Sequence, residues 1–235
     1  MKTSNPWLYH GFPLLVIVFP FIWVAIAGDD RMLKGEAGIV ENATVIFLVI
    51  AIGYCISSLK LASGQFLSAN LKAWLMLLIL GAAYFALEEI SYGQHMFGWG
   101  TADTWKELND QDETNLHNVH SIFDQVPRAL LTLGILVGGI ILPLYWLIRG
   151  IERAESDRFY WQWPTVDCLT IGLFVILIRP ILSVFEIDII NTGETKENLF
   201  ALFILLYCIS LRSRLRLRTE SDSEGQSSSS CTTGL

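Results

Sequence analysis

The chain has 235 residues, of which 52% are hydrophobic and 17% are charged, and its mean hydropathy is +0.46. A soluble domain carries about 25% charged residues, so this composition indicates a membrane protein. The formal charge of -7 argues against a nucleic-acid partner, which would need clustered lysine and arginine. Neither GxGxxG nor GxxxxGK[ST] occurs in the sequence, so it also offers no support for nucleotide binding.

Six stretches approach the roughly 20 apolar residues that a helix needs to cross a bilayer. They are residues 10–27, 39–59, 72–90, 129–148, 166–190 and 195–211. The pattern predicts an all-α, polytopic membrane helical bundle that forms a single transmembrane domain over residues 1–211. The first stretch ends in Ala25-Ile26-Ala27, which mimics a signal-peptidase site, but its long apolar run favours a retained helix.

The lysine and arginine residues predict the orientation of the bundle, because cytoplasmic loops carry an excess of both. With the N-terminus inside, ten of the sixteen lie on the inner side, five lie on the outer side and one lies within a helix. The inner ten are Lys2, Lys60, Lys72, Arg149, Arg153, Arg158, Arg212, Arg214, Arg216 and Arg218, and the outer five are Arg31, Lys34, Lys106, Arg128 and Lys196. The sequence therefore predicts both termini in the cytoplasm.

The last part of the chain, residues 212–235, changes from an arginine-rich stripe to a serine-rich end. Low-complexity polar segments of this kind bury too little apolar surface to fold. The composition predicts a disordered cytoplasmic tail.

Acidic residues are drawn to the outer ends of three predicted helices. The sixth segment has only 13 apolar residues, 199–211, so a spanning helix there must take in Glu197 and extend towards Glu194. Glu41 lies at the outer edge of the second helix, and Glu88 and Glu89 lie at the outer end of the third. We expect these carboxylates to share one depth.

Arg179 lies 13 residues after Val166, near the middle of the fifth segment. An ionisable group within the membrane is costly, faces the bundle interior and usually has a partner there. Glu88 and Glu89 are the favoured partners, followed by Glu41. Two interpretations of this set stay open, an ion-pair cluster that fixes helix register and a polar cavity open to the outer face.

The outer loop between the third and fourth helices, residues 91–128, is long for a connection in a small bundle, which suggests a function. Residues 112–126 predict an amphipathic helix that caps the bundle. One polar stripe of this helix carries Glu113, His117, His120 and Asp124, whose side chains are ligands that Zn, Mn or Fe accept. The alternative is a solvated face stabilised by acid-histidine pairs four residues apart.

Two motifs of the chain, EEISYGQ at 88–94 and ETNLHN at 113–118, resemble an uncharacterised family of bacterial integral membrane proteins. In that family the motifs occur with an acidic start to the second helix and a glutamate-rich start to the last. The resemblance implies a location in the inner (plasma) membrane of a bacterium but no activity. Tyr92 and His95 depart from the tryptophan and arginine that are usual in the family. Carried over by position, it points to Glu41, Glu88, Glu89, Gln94, Asn115, His117 and Asn118.

These observations support three classes of function. The first is an enzyme that acts on a lipid or lipid-linked substrate, with Glu88 or Glu89 as general acid or base, aided by His117 as a metal ligand or proton relay. Its substrate would be bound by Glu41, Gln94, Asn115, Asn118 and Arg179. The second is an accessory subunit of a membrane complex. The third, a small transporter or cation-binding protein, is disfavoured because the inner half of the fifth segment is almost entirely apolar.

The predicted orientation has a direct test. A reporter enzyme that is active only outside the cytoplasm should work when it is fused after Thr101 and should be inactive when it is fused after Asp157. Cell-surface labelling of cysteines introduced at the same positions is an independent check, and activity at Asp157 alone would contradict the orientation.

Overall fold

The structure is a computed structural model that describes residues 5–28, 33, 38–62, 68–101, 103, 121–153, 157, 159–186 and 191–232. Within these residues, six helices are long and apolar enough to cross a membrane. They are α1 (Trp7–Ala27), α2 (Ile39–Leu61), α3 (Ala69–Glu89), α4 (Gln125–Arg149), α5 (Val166–Val184) and α6 (Thr192–Ser221). The all-α bundle of six membrane helices predicted from hydropathy is confirmed.

Helix α6 forms the core of the bundle. In its most apolar stretch 72% of the residues are buried, against 11–39% in the other five helices. It packs mainly against α2 on one side and against α5 on another. Helix α3 in turn packs on α2, while the middle of α4 packs on α5. Helices α2 and α5 therefore flank α6 directly, while α3 lies against α2 and α4 lies against α5.

Helix α4 contains a π-helical segment, Ile135–Ile141, at which it approaches its neighbours closely. A β-carbon added to Gly139 would lie 2.8 Å from Cε2 of Phe203 on α6. A β-carbon on Gly172 of α5 would lie 3.1 Å from Ile140. Small residues allow helices in a membrane to pack this closely. These two glycines therefore permit the close contacts of α4 with α6 and with α5.

Two helices begin or end at different residues from those predicted. Helical structure is described from Ser121 onward, and residues 121–126 run directly into α4. The rest of the predicted cap helix, 112–120, lies outside the described residues. Pro127 has no N–H to donate to the carbonyl oxygen of Phe123, four residues earlier, and that oxygen instead accepts a hydrogen bond from the Tyr84 hydroxyl.

The helix that contains α6 continues to Thr232, through the segment that the composition predicts to be disordered. The first turns of this helix beyond the predicted end at residue 211 contact the rest of the bundle. Leu215 is buried, and Nε of Arg212 donates a hydrogen bond to Ser57 Oγ at 2.8 Å. Arg214 donates to the backbone carbonyl groups of Tyr160, Trp161 and Trp163. The arginine stripe is therefore part of the packed structure, which composition alone does not reveal.

Candidate functional site

Carboxylates from three helices meet at one end of the bundle. Glu41 lies in the first turn of α2, Glu89 is the last residue of α3, and Glu194 and Glu197 lie in the first turns of α6. Glu41, Glu194 and Glu197 all act electrostatically on the Glu89 carboxylate. The structure thus brings together the acids for which the sequence predicts a common depth. We call this set, together with Glu88, the carboxylate cluster.

The cation that pairs with the cluster is Arg128 of α4, whereas the sequence favours Arg179 of α5. Nη2 of Arg128 forms an ion pair with Oε1 of Glu197. Arg179 is exposed, because the buried face of α5 passes through Ile178 and Leu182. The residue after Ile178 is rotated by about 100° from that face. Arg179 therefore lies on the outside of the bundle, where it is close enough to Lys196 to act on it electrostatically.

Glu88 is buried and accepts a hydrogen bond of 2.5 Å from the hydroxyl of Tyr92. This contact depends on an unusual turn, in which Ser91, Tyr92 and Gly93 have φ values of 45°, 54° and 94°. Left-handed backbone is costly for residues other than glycine and persists where the surroundings impose it. Burial and the bond to Glu88 raise the pKa of Tyr92, so its hydroxyl stays protonated as a donor.

Gln94, the other predicted binding residue of this motif, begins a short helix beyond the turn, Gln94–Phe97. Its Nε2 donates to Oγ1 of the buried Thr101 at 2.7 Å. The side chain therefore helps to close the turn onto the chain that follows it.

A polar contact between α2 and α6 lies next to the carboxylate cluster, at the residue that follows Glu197. The sequence analysis did not identify it. Nδ2 of Asn198 donates to the carbonyl oxygen of Val40 at 3.1 Å and to Thr44 Oγ1 at 3.2 Å. Asn198 and Thr44 are both buried. The signal available in the sequence was a lone asparagine next to Glu197 at the start of an apolar helix, since buried amides need partners.

An apolar groove runs from the carboxylate cluster along the gap between α3 and α4, with α6 as its floor. Its first part has a volume of about 390 Å³ and is lined by Glu88, Glu89, Arg128 and Glu197 at the charged end. The remaining walls are mostly apolar and come from α3, α4 and α6: Leu77, Leu78, Gly81, Ala82, Tyr84, Phe85, Phe123, Pro127, Leu130, Leu131, Phe200 and Ile204. The Tyr84 hydroxyl bridges the two walls by donating to the carbonyl oxygen of Phe123 at 3.2 Å.

A second cavity of about 560 Å³ continues the groove towards the other end of the bundle. The two parts share Leu77, Leu78, Leu131 and Ile204. The second part reaches Asn70 and Trp74 near the start of α3. From Asn70 to Glu89 the helix rises about 28 Å at 1.5 Å per residue, close to the thickness of the hydrocarbon core. We call the whole feature the α3/α4 groove.

The predicted metal ligands are not placed by the structure. Glu113, His117 and His120 lie outside the described residues, as do Asn115 and Asn118, and the side chain of Asp124 is likewise not described. Within the described part of the chain, no group of three or more histidine, cysteine or acidic side chains is arranged to hold a metal ion. A Zn, Mn or Fe site on the histidine stripe stays a prediction.

Comparisons of the chain with protein-family models, with curated proteins and with solved structures give no match. The interpretation of the site therefore depends on its own geometry. That geometry is a set of carboxylates and one arginine at the end of a long apolar groove.

The ion pair across the groove predicts different effects for the two arginines. Arg128→Gln should lower the free energy of unfolding by about 1–3 kcal/mol, because Glu197 loses its partner. The cost is below that of a fully buried pair because the Arg128 side chain is 43% exposed. Arg179→Gln, the matched control, should change stability by about 0.5 kcal/mol or less. Unfolding followed by tryptophan fluorescence in one detergent measures both, and equal effects would contradict the assigned pairing.

Proposed function

We propose that the α3/α4 groove binds an amphipathic, lipid-like molecule, and that the protein is an enzyme that acts on the polar headgroup of that molecule. The observation that carries the proposal is the continuity of a long apolar groove with a charged cluster at one end. A lipid has the same division into an apolar chain and a polar head. Ligand sites commonly combine mostly apolar walls with a few convergent polar groups.

The composition of the cluster favours one kind of headgroup. Among the described residues, five carboxylates lie around Arg128, and Arg128 already pairs with Glu197. An excess of carboxylates attracts cations and hydrogen-bond donors and repels anions. We therefore expect a headgroup that presents ammonium or hydroxyl groups to the glutamates. A phosphate in the same headgroup would be held by Arg128, in the role that the sequence assigns to Arg179.

Glu89 is the residue that we propose as general acid or base. It lines the groove and is half-buried among other carboxylates, whereas Glu88 already accepts the hydrogen bond of Tyr92. As a base, Glu89 would take a proton from a hydroxyl group of the substrate or from water, and as an acid it would return that proton to the leaving group. Glu88 would hold the position of Tyr92 at the edge of the site.

We propose that the carboxylate cluster faces outward from a bacterial inner membrane, with both termini in the cytoplasm. The support for this orientation is the excess of lysine and arginine on the other side of the bundle. In this orientation the loop that carries His117 and His120 lies on the same side as the cluster. We propose that the two histidines act on that side of the membrane as metal ligands or as proton carriers.

A structural role is the second candidate function. The ion pair between Arg128 and Glu197 joins two helices that are distant in the sequence, and the hydrogen bond between Tyr92 and Glu88 fixes the turn that follows α3. Such contacts also suit an accessory subunit of a membrane complex, in which the cluster fixes helix packing. An accessory subunit should lose stability or assembly when the cluster is neutralised, whereas an enzyme should stay folded and lose turnover.

Filling the groove tests whether it binds lipid. A β-carbon on Gly81 of α3 meets no atom within 4 Å, although Gly81 lines the groove, so Gly81→Leu should fill it without a clash. Gly53 of α2 has equally open surroundings and serves as the matched control Gly53→Leu. Photo-crosslinking to phosphatidylethanolamine with a diazirine in its acyl chain should fall several-fold for Gly81→Leu only. Equal labelling of both variants would exclude the groove as the lipid site.

Neutralising Glu89 tests whether the bound molecule reacts. In nanodiscs that contain total bacterial lipid, Glu89→Gln should abolish turnover of the substrate lipid, followed by mass spectrometry over time. Loss of a general acid or base lowers the rate by about 100-fold to 10,000-fold. Glu186→Gln, at an exposed residue just after α5, should retain the wild-type rate. If no lipid is consumed by the wild type, or if Glu89→Gln fails to fold while Glu186→Gln folds, the accessory function is supported instead.

A further inference from the structure

Two arginine side chains line a cavity at the end of the bundle opposite the carboxylate cluster. Arg214 lies 17 residues after Glu197 along the helix that contains α6, or about 26 Å away at 1.5 Å per residue. Arg153 follows the end of α4. The cavity has a volume of about 420 Å³, and its walls include Trp146, Tyr160 and Trp163. We call it the arginine cavity.

Arg214 is held in place by the segment that connects α4 and α5. Its Nη1 donates to the carbonyl oxygen of Tyr160, and its Nη2 donates to those of Trp161 and Trp163, each at 3.3 Å. Its Nε is buried and has no hydrogen-bond partner among the described residues. A buried donor without a partner is costly, so Arg214 has an unmet capacity to bind an acceptor.

Arg153 approaches the same carbonyl group from the other side, since its Nη1 also donates to Tyr160 O, at 3.2 Å. Its guanidinium lies over the ring of Trp146, 4.5 Å from the centroid. Two guanidiniums that share one acceptor repel each other. Burial and the charge of Arg214 lower the pKa of Arg153, while Asp157 opposes this effect.

Two exposed acids among the described residues lie near Arg153 and leave room for an anion, while the buried Asp167 accepts a hydrogen bond from Thr165 of the cavity wall. The Asp157 carboxylate lies 3.8 Å from Arg153 Nε, beyond hydrogen-bond distance, and its side chain is 52% exposed. Glu152 also lines the cavity but is exposed. Surface pairs of this kind contribute little free energy. A bound anion would therefore interact with both arginines more strongly than the two acids do.

We propose that the arginine cavity binds a phosphate group. Guanidinium groups match phosphate oxygens in charge and in spacing. Aromatic walls are typical of the membrane interface, where lipid phosphates lie. Leu147, which lines the cavity, is 62% exposed, so the cavity has an apolar edge next to the membrane. The phosphate belongs to an anionic lipid headgroup or to a free phosphate ion, and an experiment separates these two sources.

The experiment uses the full chain in phosphatidylcholine nanodiscs. Thermal unfolding is measured after addition of phosphatidylglycerol to the bilayer or, separately, of inorganic phosphate to the buffer. Arg153→Gln should weaken the stabilising interaction about tenfold or more, as expected for loss of a charged hydrogen-bond donor. Arg149→Gln is the matched control, because Arg149 is exposed at the end of the same helix and does not line the cavity.

A stabilisation by phosphatidylglycerol alone identifies a lipid headgroup, and one by inorganic phosphate alone identifies a free anion. Both results support the site if Arg153→Gln reduces the effect and Arg149→Gln retains it. No stabilisation by either probe, or equal losses in the two variants, overturns the proposal. None of these outcomes depends on the α3/α4 groove.

A second pair of variants covers the case in which Arg153→Gln does not fold. Ile151→Trp fills the cavity from its exposed side and leaves both arginines in place. Ile148→Trp introduces the same side chain at an exposed residue of α4 that does not line the cavity. The phosphate effect should be lost in Ile151→Trp only, and its survival there would overturn the proposal.

Discussion

Helix α6 is buried on nearly all sides and yet carries ionisable residues near both ends, and the rest of the bundle is arranged around this constraint. A charge in the hydrocarbon region is costly unless a partner compensates it. At one end of α6, Glu197 forms an ion pair with Arg128 of α4. At the other end of this helix, Arg214 donates hydrogen bonds to three backbone carbonyl groups in the segment before α5. The two contacts fix both ends of α4 and its connection relative to the central helix.

The same arrangement explains why a groove exists. Helices α2 and α5 cover two sides of α6, whereas α3 packs on α2 and α4 packs on α5. The third side of α6 then faces the gap between α3 and α4, where it supplies Phe200 and Ile204 as a floor. Where α4 does approach α6, the absence of a side chain at Gly139 leaves room for Phe203. The groove is therefore a consequence of helix order around a buried core, with the Tyr84 bridge at its charged end.

The sequence predicted what depends on position along a helix axis, and missed what depends on rotation about that axis. Hydropathy located all six membrane helices, and the short apolar length of the last one correctly placed Glu197 beside Glu41 and Glu89. Depth alone did not tell which arginine faces inward, because that depends on which face of α5 is buried. The left-handed turn that brings Tyr92 to Glu88 also has no signature in hydropathy, since it follows the end of the helix.

The groove is open on its membrane side, where Leu77 and Leu130 are more than half exposed. A molecule that occupies it arrives by lateral diffusion in the plane of the bilayer and keeps its apolar part out of water. Occupancy is then governed by the mole fraction of that molecule among its neighbouring lipids, and its bulk concentration in solution has little influence. If the groove binds a lipid as proposed, abundant lipids would compete for the same space. Selectivity would then depend on the charged end, where the glutamates and Arg128 would contact the only part of the molecule that differs from its surroundings.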